Sequence, residues 1–252
     1  MKRHVKMMGL MTAAVLAAGT VLGADLVQKA RDVMSRNQDS LITVTALSKL
    51  DMGGSGLPIR IGGMGEAQEA GCSGLVIDAN GMTVVPYSAI NPMDMVASHM
   101  QIRIGEDESE GQELKSKAEL SRIRMQMPDG TEVPAKLVFK DKELDLAFIL
   151  PDPKDGEKAP KFNPVSLAAG PTAKELDDIV VLSRHGKNLG CQAAVDIGRI
   201  TAVIAKPRPM YDLSVGGRPG SPIFLPDGQL LGLVVTTGAG EGGGLMSLGG
   251  ME

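Results

Sequence analysis

The chain has 252 residues, a net charge of −4, no Trp and only 2% aromatic residues. That length suffices for one large β domain or for two small subdomains with cores of their own. The acidic balance argues against a nucleic-acid partner, and the scarcity of rings argues against a stacking platform for bases or sugars.

The N-terminus reads as an export signal spanning residues 1–24. Lys2, Arg3 and Lys6 precede an apolar stretch from Met7 to Gly23, and a cut near Gly23 or Ala24 would leave Asp25 to begin a polar chain. An uncleaved anchor is the alternative, but the stretch is short for a span of about 20 residues. No other run is long enough to cross a bilayer, so the expected location is the periplasm or the outside of the cell. After the signal, Leu26, Val27, Ala30, Val33 and Met34 recur at helical spacing, with Asp25 placed to cap a short helix over 25–38. Leu41 to Leu47 reads as a strand and 51–71 as a Gly-rich loop.

Hairpins then follow one another. Leu75 to Ile77, a turn at Asp78–Gly81 and Thr83 to Val85 make the first. Residues 105–119 form an acidic insert that reads as a solvated loop without the spacing of a calcium site. Ile123 to Met127, the turn Pro128-Asp129-Gly130 and Val133 to Phe139 make the second hairpin, and Leu144 to Leu150 is a further strand. The Pro-rich stretch 151–164 reads as a linker. Beyond it, Ile179–Leu182, Ala193–Ile197 and Ile200–Ala205 are candidate strands. Ile223–Leu225 and Gln229–Thr237, joined through Pro226-Asp227-Gly228, make the third hairpin, and 239–252 is a Gly-rich tail. The expected class is all-β, with an N-terminal β-barrel over 25–150 and a C-terminal one over 165–238.

Two cysteines are present, Cys72 and Cys191. Export makes a disulfide between them chemically possible, and two buried, inert thiols are the alternative. Neither lies in a CxxC pair, so zinc has no support, and no metal or cofactor is expected.

Five segments in order resemble the trypsin-like serine proteases of the HtrA/DegP type. Gly71-Cys72-Ser73-Gly74-Leu75-Val76-Ile77-Asp78-Ala79-Asn80-Gly81 resembles the hairpin that precedes the family's catalytic His. Asp129 to Val138 resembles a strand pair. Asp145-Leu146-Ala147 resembles the motif of the catalytic Asp. Gly217-Arg218-Pro219-Gly220-Ser221-Pro222 resembles G-N-S-G-G-P, which carries the nucleophile, and Asp227 to Gly232 resembles the hairpin after it. The resemblance implies two six-stranded antiparallel β-barrels with a site between them. It does not extend to the family's peptide-binding PDZ modules.

Matched residue by residue, the site is degenerate. Ser88 stands at the His position, and a hydroxyl is no base near neutral pH. Pro219 stands at the nucleophile position, with neither a hydroxyl to attack nor an N–H to complete the oxyanion hole. Asp145 and the oxyanion-loop Gly217 remain. His99 and His185 lie away from the base position. Ser221 is two residues from Pro219, a displacement of several ångströms where ~1 Å already costs about a hundredfold. The resemblance therefore points to an exported pseudoprotease that binds a peptide or protein without cleavage, along an edge at Val235, Thr236 and Thr237. An active serine endopeptidase and a structural envelope protein are the alternatives. The sequence gives no partner identity and no oligomeric state.

Overall fold

A computed structural model of the chain describes residues 23–51, 67–99, 101–104, 112–115, 117–154, 156, 160–167, 170–206 and 209–235. Residues 23–37 form helix α1, which buries Ala30 and Val33. The backbone is already helical at residue 23, so Asp25 lies inside the helix rather than at its cap. Its carboxylate instead pairs with Lys29 one turn on, at 2.7 Å.

The strands of the first half are β1 (Leu41–Asp51), β2 (Gln68–Val76), β3 (Thr83–Pro86), β4 (Gln101–Ile104), β5 (Gln112–Lys115), β6 (Lys117–Gln126), β7 (Glu132–Asp141) and β8 (Leu146–Pro151). Six of them close into a barrel in the order β1-β2-β3-β8-β7-β6, every pair antiparallel. Side chains alternate across each strand. Ile42, Val44, Ala46, Cys72, Val85, Met125, Ala147 and Ile149 therefore fill the barrel, while Leu41, Leu75 and Val84 point outward. Two short helices, α2 (Tyr87–Ile90) and α3 (Pro92–His99), follow β3. The acidic insert is not all loop: β5 pairs with β4, and β6 begins at Lys117. Residues 105–111 lie outside the described ones.

The second half is a curled five-stranded sheet, formed by β9 (Asp178–Arg184), β10 (Ala193–Ile204), β11 (Met210–Leu213), β12 (Pro222–Phe224) and β13 (Leu230–Leu233) in the order β11-β10-β9-β12-β13. Sheet and barrel face each other across a shared core. Val180, Leu182 and Phe224 meet Leu41, Leu75 and Val84, and α1 closes one side with Ala30 and Val33. The segment between the halves holds no helix or strand among its described residues. It is nonetheless tied down. Val165 N–H donates to Val76 O at 2.9 Å, and Phe162 packs against Gly81, whose φ of +86° is that of a turn glycine.

One buried cation also bridges the halves. Arg184 continues the inward face of Val180 and Leu182. It donates Nε to Leu41 O and Nη1 to Cys191 O, each at 2.6 Å, and Nη2 to Gln38 O. Burial pushes its pKa down, and the negative charge of Asp39 opposes that shift. No described helix is long and apolar enough to cross a membrane.

Candidate functional site

Asp145 ends the turn that leads into β8, with a left-handed φ of 54°. This conformation is uncommon for a residue with a Cβ, though Asp is among the side chains that tolerate it. It turns the Asp145 carbonyl to Tyr87 N–H at 3.1 Å and the carboxylate to Ser88. Ser88 N–H donates to Oδ1 at 2.7 Å and Ser88 Oγ to Oδ2 at 2.8 Å. Both carboxylate oxygens are thus held by one residue. Tyr87 is itself anchored: its hydroxyl accepts from Asn91 Nδ2 at 3.0 Å and from Lys140 Nζ at 2.9 Å.

The loop at Gly217–Ser221 reaches this place from the second sheet. Pro219 O accepts Ser73 N–H from β2 at 2.8 Å, Gly220 N–H donates to Val234 O at 2.7 Å and Ser221 N–H to Arg218 O at 2.9 Å. At Gly220, with φ +84°, a Cβ would lie 1.8 Å from Ser73 O and 3.1 Å from Pro86 Cδ. Pro86 is two residues before Ser88, so the Pro219 loop and the Ser88 segment meet. Cys72 lies beneath them inside the barrel, within reach of the charges of both Arg218 and Asp145.

The residues brought together here are not a Ser-His-Asp set. Asp145 faces a serine hydroxyl, which takes no proton near neutral pH. Pro219 supplies no nucleophile and no oxyanion donor. Ser221 is fully buried and its Oγ has no hydrogen-bond partner among the described residues, so it is closed to substrate. Among the described residues no hydrogen bond joins His185 to Asp145, Ser88 or Ser221; its backbone N–H goes to Gln192 O at 2.9 Å. Among the described residues no group of His, Cys, Asp and Glu is placed to hold a metal ion.

A family model described as a trypsin-like peptidase domain matches residues 72–233. The chain belongs to that family. Among solved structures, it is similar to Deg5, an HtrA-family protein, with a TM-score of 0.53 and 17% identity over 83% of this chain and 85% of that one. That likeness is one of fold. None of the curated proteins compared with the chain matches it.

Other positions singled out in the sequence stand differently. Cys72 and Cys191 are both buried and both free, so the disulfide is not made. The physical reason is placement. Cys72 points into the barrel interior, whereas Cys191 sits at φ 53° in the turn before β10, where its carbonyl accepts from Arg184. Val235 follows β13 rather than belonging to it, and Thr236 and Thr237 lie outside the described residues. Arg184 is the residue that reading the sequence missed. Its signal was the i, i+2, i+4 alternation with Val180 and Leu182, which carries a charged side chain onto the buried face.

Burial pushes the Cys72 thiol up to about 12; the nearby Arg218 charge opposes this and Asp145 adds to it. The folded chain therefore keeps this proton after the unfolded chain has lost it. The Cys72 contribution to stability is full below about pH 9 and declines from there toward pH 12, by at most about 1.4 kcal/mol per pH unit. Urea melts between pH 8 and 11 should show a steeper decline for the native sequence than for Cys72→Val. Parallel declines would refute the assignment. A thiol reagent at pH 8 should leave Cys72 unmodified until the chain unfolds.

Proposed function

We propose that the protein is an exported pseudoprotease, a trypsin-like fold that binds peptide or protein without cutting it. The observation that carries the reading is the pairing of Ser88 with both oxygens of Asp145, where hydrolysis needs an imidazole. Pro219 in the adjoining loop supports it, since a proline carbonyl pinned to Ser73 N–H offers neither nucleophile nor donor. Peptide recognition needs no triad. An extended segment would add to the sheet beside β13, whose outer edge no described strand covers. Export rests on the basic and apolar pattern of residues 1–24. N-terminal sequencing of the protein from fractionated cells, starting near Ala24, would support it, and retention of Met1 in the cytoplasm would refute it.

The activity test uses a fluorophosphonate probe together with casein hydrolysis. No labelling and no cleavage above the buffer blank are expected, because the probe needs a serine activated by a base. Pro219→Ser alone should stay inactive, since the parts of a triad act as a unit. Stoichiometric labelling of the native sequence at a single serine would overturn the reading.

A further inference from the structure

We propose that the loop carrying Arg218 receives a carboxylate of the bound peptide, either a free C-terminus or an Asp or Glu side chain. This deepens the peptide-binding reading above and rests on it.

Arg218 is exposed and lies next to Pro219, where the resembled motif has an uncharged residue. Its guanidinium is oriented by one hydrogen bond, Nη1 to Arg184 O at 3.0 Å, and Arg184 is itself held in the core. Nε and Nη2 have no hydrogen-bond partner among the described residues, and none of the ion pairs there includes Arg218. The chain from Ser214 to Pro226 contains no acid. Beside Arg218, the Gly217 N–H makes no hydrogen bond among the described residues, and Gly217 is exposed. The carbonyls of Arg218 and Pro219 are already taken, by Ser221 N–H and Ser73 N–H. Arg218 and the Gly217 N–H thus have donors to offer a ligand, and one of them carries a full charge.

That set discriminates between ligands. A neutral peptide carbonyl gains one ordinary hydrogen bond from it. A carboxylate gains a charge-assisted, two-pronged contact with the guanidinium and has lone pairs to spare for Gly217 N–H. One acid in this region is Asp145, whose charge reaches Cys72, as that of Arg218 does, and would repel an anion. Both its oxygens accept from Ser88, and no hydrogen bond or ion pair among the described residues joins it to Arg218.

The test is fluorescence anisotropy with three N-terminally rhodamine-labelled hexapeptide pools, randomised without Asp or Glu. One pool ends in a free acid, one in an amide, and the third ends in an amide with a Glu at one fixed position. The acid pool, the Glu pool or both should bind about tenfold more tightly than the plain amide. Which of them does so identifies the source of the carboxylate. Arg218→Gln should abolish the advantage and Arg218→Lys should keep part of it, both with an unchanged circular dichroism spectrum. Equal binding of all three pools by the native sequence would overturn the carboxylate proposal and leave peptide binding standing. An advantage that survives Arg218→Gln would also overturn it. Binding of no pool would overturn both this proposal and the reading on which it rests.

Discussion

Gly220→Ala is expected to lower stability by about 3–4 kcal/mol, the range of substitutions that strain a special backbone position and overpack at once. Two effects add. The residue holds φ at +84°, where an L side chain is disfavoured by roughly 1–2 kcal/mol. The new methyl would also lie 1.8 Å from Ser73 O, an atom of β2 backbone that no rotamer change can move. Relief requires the loop to leave the barrel wall, which breaks the bond from Ser73 N–H to Pro219 O. Urea denaturation measures the loss. Gly130→Ala is the control: it has a similar φ of +85° but nothing within 4 Å of the added Cβ, so it should show the backbone part alone. Equal losses in the two variants would mean that the loop does not press on Ser73.

Arg184→Met should cost as much, about 3–5 kcal/mol. The substitution takes the Arg184 donors from the buried carbonyls of Leu41 and Cys191, and one of two donors from the half-buried Gln38 O, which keeps the Leu41 N–H. An unmet buried acceptor costs about 1–3 kcal/mol, and removal of a desolvated cation returns part of that, which is why the losses do not simply add. Arg184→Lys keeps the charge but cannot aim three separate N–H groups at three carbonyls, so it should recover only part of the loss. If Arg184→Met melts within about 0.5 kcal/mol of the native protein, the guanidinium does not join the two halves.

The parts of this fold that were legible in the sequence are those with local causes. At Asp129-Gly130 and Asp227-Gly228 the aspartate carboxylate accepts the N–H two residues on, at 2.9 and 3.0 Å, and the glycine takes a positive φ. These turns set the register of the strands on either side, and alternation then assigned the inner faces. Gly198 misled: it split one strand into two. The strand β10 runs through it because Val215 packs 2.4 Å from where a Cβ would stand. Ser88 and Asp145 were legible as a pair because each fell in an ordered motif. The role of Arg184 was not, since its three acceptors lie up to 146 residues away in the chain. The same holds for the burial of Ser221, which lies in a loop rich in Gly and Pro and is nonetheless fully buried. Alternation puts Arg184 on the inner face, but long-range packing decides which carbonyls it meets and whether Ser221 is covered.

The core that Leu41, Leu75 and Val84 share with Val180, Leu182 and Phe224 has a mechanical consequence. Two domains joined by a slack tether normally swing, and many binding clefts work by closing on what they hold. Here Phe162 is wedged against Gly81 and Val165 is bonded to Val76, so the tether acts as a brace. Barrel and sheet should melt in one calorimetric transition, with a van't Hoff enthalpy equal to the measured one. A peptide added beside β13 would meet a sheet held fast against the barrel. Any accommodation must then come from the loops around that edge, so affinity would depend on how well a peptide already fits it.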